Sequence, residues 1–280
     1  MVGSDDTGTV HPRVAIIGAG AIGEILAVGL LQAGWEPDRI TLVARRAERA
    51  GELKSRHPVE VLLDPSQALP GRQVVVVAVK PRDVEALLAN LRGRIAPDQV
   101  VLSFAAGVPT TLFEQALGEI PVVRAMPNTP AFRNQAITAY AGGSHAKPND
   151  LKVALVVLEA IGEVIPLEEH LLDAVTAVSG TGPAYVYLLA EALTEAAIRE
   201  GLPRHAAERL IDQTMKGAGS MLSDTTLSPA KLRAQVTSPG GTTAAAVHVL
   251  EEGGFRALVE DAVAAAARRS RELGEKRPKP

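Results

Sequence analysis

Three glycines, Gly18, Gly20 and Gly23, follow the apolar run Val14–Ile17 and open an amphipathic stretch. That spacing suits phosphate binding. Gly18 permits a tight turn, Gly20 lets backbone approach a pyrophosphate with no Cβ in the way, and Gly23 lets the following helix pack closely on the strand. The helix start adds unpaired N–H groups and a partial positive charge. The whole turn, Gly18, Ala19, Gly20, Ala21, Ile22 and Gly23, is therefore a candidate dinucleotide cradle, with an ordinary structural turn as the plain alternative. After the next apolar run, Ile40–Val43, come Ala44, Arg45 and Arg46. A dinucleotide fold that selects NAD has a carboxylate at that place for the ribose 2′-hydroxyl. Asp38 precedes the run, at the wrong end, whereas two guanidinium groups at the right end suit a 2′-phosphate. NADPH is favoured, with NADH possible; otherwise the pair is simply two solvated arginines.

These groups need a framework, and 280 residues suffice for one large domain or two modest ones. The 46% hydrophobic content supports a core, which a 3% aromatic content makes aliphatic. A net charge of −3 and so few aromatics argue against nucleic-acid binding. With no cysteine, disulfides, thiolate nucleophiles and cysteine zinc sites are excluded. The polar, acidic start is no secretory signal and the apolar runs have strand length, so a cytoplasmic protein with no membrane contact is expected.

Strands and helices alternate along the first half. Strands are predicted at Val14–Ile17, Ile40–Val43, Val59–Leu63, Val74–Val79, Val100–Phe104 and Val122–Arg124, with Gln135–Tyr140 extending the sheet and a short strand at Glu163–Leu167. Helices are predicted at Ala21–Ala33, Ala47–Ser55, Asp83–Leu91 and Thr110–Leu117, and from Asn149. This order implies right-handed βαβ units and a doubly wound parallel sheet. From Glu168 the chain reads as helices only: Glu168–Val178, Pro183–Glu200, Arg204–Leu222, Pro229–Gln235, Thr242–Glu252 and Phe255–Leu273. The expected fold class is α/β, a Rossmann-type domain followed by an all-helical dimerisation domain. The expected boundaries are a disordered leader at 1–12, the nucleotide domain at 13–167, the helical domain at 168–273 and a tail at 274–280.

Five stretches narrow the reading: AVKP at Ala78–Pro81, SFAAG at Ser103–Gly107, RAMPNTP at Arg124–Pro130, AVTAVSGTGPAY at Ala174–Tyr185 and VTSPGGTTAAAVHVL at Val236–Leu250. Together, and in order from about Arg13 to Leu273, they closely resemble the pyrroline-5-carboxylate reductases. The TSPGGTT loop is their most specific element. The resemblance implies hydride transfer from a nicotinamide to the C=N carbon of Δ1-pyrroline-5-carboxylate, giving L-proline in the last step of proline biosynthesis. It also implies homodimers that assemble further. In the family, the residue matching Thr243 contacts substrate, and those matching Ser238, Gly241 and Thr242 line the same loop. The AVKP segment borders the cofactor, and Ala105 and Ala106 match positions near the nicotinamide.

The residues make chemical sense for that reaction. An iminium carbon is already electrophilic, so the protein must bind the carboxylate, exclude water and hold the ring in place. Successive N–H groups of Gly240 and Gly241, entering a helix at Thr242, form an anion site, and the Thr243 hydroxyl is the candidate catalytic contact. Plain helix capping by Ser238, Thr242 or Thr243 is the alternative. Ala78, Val79, Lys80 and Pro81 end a buried strand, where open α/β sheets bind ligands, although a lysine there is often only solvated. Asn128 suits a carboxamide or ring nitrogen, or ordinary turn chemistry. The segment Ser179–Pro183 reads as architectural. His248 and Glu252 make a surface pair, and no metal is expected. Two departures leave the substrate-amine contacts unassigned: Ser228-Pro229 replaces a common His-Pro, and Thr225, Thr226 and Leu227 occupy a region where some members carry a carboxylate. The rival readings are an NADP-linked β-hydroxyacid dehydrogenase, an F420-dependent NADP reductase, or a non-catalytic NADP-sensing dimer.

Overall fold

The computed structural model describes residues 11–224 and 226–275. Most of the expected leader, the last five residues and Thr225 lie outside the described residues.

Apolar runs too short for helices become the strands of one sheet: β1 Val14–Ile17, β2 Ile40–Val43, β3 Glu60–Leu62, β4 Val74–Val77, β5 Val100–Ser103, β6 Val122–Met126, β7 Ala136–Gly142 and β8 Gly162–Pro166. Their order is β3-β2-β1-β4-β5-β6-β7-β8. All neighbours are parallel except β6 and β7. The first six strands thus form the 3-2-1-4-5-6 order of a doubly wound nucleotide fold, whose direction reverses between β1 and β4. The crevice beyond the carboxyl ends of those two strands is where such sheets bind ligands.

Both faces of the sheet are covered, which is why its central strands are apolar at every position. Alternate residues serve opposite faces. Val14, Ile16, Val74 and Val76 pack with Leu26 and Leu30 of α1 (Ala21–Gln32), Leu53 of α2 (Ala47–Arg56) and a later helix. Ala15, Ile17, Val75 and Val77 pack with Leu87, Leu88 and Leu91 of α3 (Val84–Leu91) and Phe113 of α4 (Thr110–Leu117). That later helix, α5 (Pro148–Glu159), adds Val157 and Leu158 to the first face.

The segment after β8 departs from the expected single helix Glu168–Val178. It is a short 3-10 turn, then α6 (Leu172–Val175), then a π turn at Thr176–Gly180. Composition groups this segment with the helical half, but it packs on the sheet: Leu172 is fully buried against Ala139 and Ala141 of β7. A charge network fixes it. The Arg124 guanidinium, on β6 and only 7% exposed, lies 3.2 Å from Asp173 and 3.5 Å from Glu169. Glu169 also accepts hydrogen bonds from the backbone N–H and hydroxyl of Thr110, at 2.7 and 2.8 Å. The Ser270 hydroxyl donates to Asp173 at 2.8 Å. Removing Arg124 would leave two partly buried carboxylates facing each other. Arg124→Ala is expected to cost about 3 kcal/mol of stability, measured by denaturant unfolding; a loss below about 1 kcal/mol would show that solvent already screens the cluster.

The remaining helices are α7 (Gly182–Arg199), α8 (Arg204–Ser223), α9 (Pro229–Gln235), α10 (Thr242–Glu252) and α11 (Phe255–Glu275). They lie close to the expected bounds, and α11 runs past the expected end at Leu273. Contacts divide the chain into two compact units, one of residues up to 181 together with those from 266 onward, the other of residues 182–265. Among the described residues of the second unit only Ala207 is buried, while Val186, Tyr187, Leu188, Leu210, Val249 and Leu258 are about half exposed or more. No described helix is long and apolar enough to cross a membrane.

Candidate functional site

The glycine turn sits at the carboxyl end of β1, and each glycine has its own constraint. Gly18 has φ +109, and a Cβ there would lie 2.7 Å from the backbone of Ala78 and Val79 at the end of β4. A Cβ on Gly23 would lie 2.2 Å from the Gly18 carbonyl oxygen. Gly20 differs: a Cβ there would meet nothing within 4 Å. The fold therefore does not need glycine at position 20, and its absent side chain leaves the backbone there open to approach. Gly20 is also the N-cap of α1, and no side chain caps that helix, so its first N–H groups are not answered by a side-chain acceptor. The residues fit a dinucleotide pyrophosphate.

The turn is held from below and from the side. Gly18 and Ala19 both donate N–H to the Val43 carbonyl, at 3.1 and 3.0 Å. From α2, Arg49 donates Nε–H to the Ala19 carbonyl at 3.2 Å and its guanidinium also meets Glu24 in the first turn of α1 and Glu52. Arg56 and His57 approach the other Glu24 oxygen at 3.1 and 2.9 Å. Burial alone would raise the Glu24 pKa, but hydrogen bonds from His57 and Arg49 and the charges of Arg49 and Arg56 outweigh it and hold the carboxyl below its ordinary value. Sequence reading did not single out Arg49 or Glu24. On their own they look like surface charges, and only the pairing of β1 with β2 brings them together.

The flanking loops converge on the same crevice because β2 and β4 are the neighbours of β1. Arg45 and Arg46 follow β2; Arg45 is 82% exposed and its guanidinium is 3.9 Å from Asp83, just beyond β4. Asp38 lies at the opposite end of β2, 3.7 Å from Arg13. Ala78 and Val79 continue β4, with the Ala78 N–H on the Ile17 carbonyl at 2.8 Å. Lys80 is exposed and Pro81 opens a 3-10 turn. Beyond β5, Ala105 is buried and Ala106 partly so. Asn128, beyond β6, is also buried, and its amide serves the protein: Oδ1 accepts from the Ile137 N–H at 3.1 Å and Nδ2 donates to the Ser179 carbonyl at 3.3 Å. Asn128 thus ties the β6 loop to β7 and to the π turn, the architectural part expected of Ser179–Pro183.

The Ser238–Thr243 loop belongs to the other unit. Gly240 has φ +71, a left-handed conformation that favours glycine. Gly241 donates its N–H to the Ser238 carbonyl at 3.1 Å, and a Cβ there would lie 2.4 Å from the Ser238 Oγ. Gly241 is the N-cap of α10, and no side-chain hydrogen bond caps the helix. The capping alternative for Ser238, Thr242 and Thr243 is therefore not what the structure shows. Thr242 and Thr243 occupy the first two helical positions, where their backbone N–H groups face outward along the axis. By contrast, Ser228 does cap α9, accepting from the Lys231 N–H at 3.4 Å. His248 and Glu252 form an exposed pair at 3.3 Å, and the described residues contain no group of three metal-ligating side chains.

Residues 169–273 match the family model described as pyrroline-5-carboxylate reductase dimerisation, and residues 13–107 match that described as NADP oxidoreductase, coenzyme F420-dependent. The second match is confined to the nucleotide-binding part and does not extend to the helices. A pyrroline-5-carboxylate reductase of Mycobacterium tuberculosis is 42% identical over 285 residues, covering 93% of this chain and 96% of the relative. The structure of a pyrroline-5-carboxylate reductase from Coxiella burnetii superposes with a TM-score of 0.85 at 37% identity, over 94% of this chain and 98% of that one. A Plasmodium falciparum pyrroline carboxylate reductase with NADP bound gives a TM-score of 0.86 at 26% identity, over 95% of this chain and 99% of that one. Architecture, loop chemistry and relatives agree: the chain belongs to the pyrroline-5-carboxylate reductase family, NAD(P)-dependent oxidoreductases that form proline.

Proposed function

We propose that the chain reduces Δ1-pyrroline-5-carboxylate to L-proline with NADPH in preference to NADH, as a homodimer in the cytoplasm. The nucleotide pyrophosphate lies on Gly18–Gly23, its 2′-phosphate on Arg45 and Arg46, and its nicotinamide end near Ala105 and Ala106. Ala78–Pro81 borders it. When bound, the nicotinamide supplies the hydride. The chain's own residues bind and orient the substrate. The N–H groups of Thr242 and Thr243 take the substrate carboxylate at the uncapped start of α10, while the Gly241 N–H, held on the Ser238 carbonyl, and Gly240 shape the turn. The Thr243 hydroxyl hydrogen-bonds the carboxylate or the ring nitrogen, holding the electrophilic carbon in one orientation.

The observation that carries the cofactor assignment is the asymmetry around β2: two arginines follow its carboxyl end, while Asp38 sits at the other end on Arg13. NADP in the Plasmodium falciparum relative supports the same choice. The 3.9 Å contact from Arg45 to Asp83 is long and exposed, a weak competitor for a phosphate. Changing both arginines to alanine is expected to lower kcat/KM for NADPH by about 10- to 100-fold and leave that for NADH nearly unchanged. An unaltered NADPH/NADH ratio would refute the assignment. The homodimer rests on the second unit, whose helices bury almost nothing by themselves and match the dimerisation model.

A further inference from the structure

We propose that Arg49 is a positioning residue for the nucleotide site, acting by locking the orientation of one peptide group in the glycine turn. This rests on the assignment of that turn to the cofactor. The Ala19 carbonyl and the Gly20 N–H belong to the same planar peptide and point in opposite directions. Whatever fixes the carbonyl fixes the N–H. Arg49 does so by donating Nε–H to the Ala19 oxygen at 3.2 Å.

Without that bond, the Ala19–Gly20 peptide is the weak point of the loop. Gly20, with no Cβ, can turn through backbone conformations closed to other residues, so the peptide before it keeps its orientation only where its oxygen is held. A rotated peptide would present a carbonyl oxygen where the pyrophosphate needs a donor. The neighbouring groups are already committed: the N–H groups of Gly18 and Ala19 are on the Val43 carbonyl, and the Gly18 oxygen lies against Gly23.

Arg49 is itself held. Its Nη1 donates to Glu52 at 2.9 Å and its Nη2 to Glu24, which in turn faces Arg56 and His57. Side-chain exposures of 22% for Arg49, 18% for Glu24 and 15% for His57 mark the partly buried centre of the cluster, with Glu52 and Arg56 at its solvent edge. Because Glu24 stands in the first turn of α1, the same guanidinium joins the loop, the helix that follows it and α2. A lysine can keep one of these contacts but not all three, since only the guanidinium presents Nε–H and two Nη groups in a fixed fork.

The experiment is a fluorescence titration of NADPH and of NADH against the full-length protein, Arg49→Ala and Arg49→Lys, with thermal unfolding of each. The lock acts on the pyrophosphate end common to both nucleotides. Arg49→Ala is therefore expected to weaken both by about 10-fold with an unchanged ratio, while kcat at saturating nucleotide stays within about twofold. Arg49→Lys is expected to fall in between, and it carries the test if the alanine variant does not fold. Lower thermal stability with unaltered affinity for both nucleotides would overturn the proposal and leave Arg49 a structural residue. A loss confined to NADPH would also overturn it, marking Arg49 as a ligand of the 2′-phosphate. Failure of the unmodified protein to bind either nucleotide would instead refute the cofactor assignment on which the proposal stands.

Discussion

Gly20→Val is expected to fold normally and to lose nucleotide affinity by about 100-fold or more. Gly20 has φ −78 and ψ −163, extended backbone open to any residue, and nothing lies within 4 Å of where its Cβ would be. The cost to the apo protein is the weaker N-cap, about 1 kcal/mol. The valine methyls would fill the space through which a pyrophosphate reaches the backbone. The contrast is Gly23→Ala, whose Cβ would stand 2.2 Å from the Gly18 oxygen and must damage the turn itself. Thermal unfolding and nucleotide titration of the two variants separate the roles: one loses ligand and keeps the fold, the other loses both. Unimpaired binding by Gly20→Val would remove the turn from the cofactor site.

Thr243→Ala is expected to lower kcat/KM for pyrroline-5-carboxylate by about 30-fold, equivalent to ~2 kcal/mol for one hydrogen bond to a charged group. NADPH affinity should stay within about twofold. Helix stability should change little, because Thr243 makes no cap and sits one residue inside α10. Gly241 is already the N-cap, so a lost cap cannot account for a loss of turnover. Equal losses in substrate and nucleotide binding would indicate a structural role for the hydroxyl.

How far these sites were legible depended on the range of the interaction. The buried strands were readable because runs such as Val74–Val77 are apolar on both faces and too short for helices. Helices α4 and α10 begin and end at punctuation the sequence displays, Pro109 and Gly118, Gly241 and Gly253, and α9 begins at Ser228-Pro229. Parallel order followed from strand–helix alternation, but the antiparallel pairing of β6 with β7 did not, since a strand pattern carries no direction. The first part of the π turn, Thr176–Val178, reads as plain helix because one extra residue barely disturbs helical periodicity. The glycine triplet showed its spacing but not its division of labour, with two glycines forced by close approach and one left open.

The charge clusters were the least visible. Arg49 reaches Ala19 thirty residues away, and Arg124 meets Asp173 across forty-nine. Each is one guanidinium among many until the sheet closes. The one available signal was Arg124 itself, a charge inside a strand that is otherwise buried, which must be paired to be tolerated. Asn128 illustrates the converse. In the sequence it suits a nucleotide contact, and the structure adds a second use, joining Ile137 and Ser179 through its amide.

The most direct measurement follows nicotinamide absorbance with pyrroline-5-carboxylate and the full-length protein, using NADPH and NADH in parallel and assaying proline. Oxidation of both, faster with NADPH and matched by proline formed, is the expected result. Nucleotide binding with no oxidation of either would contradict the assignment of the Ser238–Thr243 loop as a working substrate site and leave only the nucleotide fold in place.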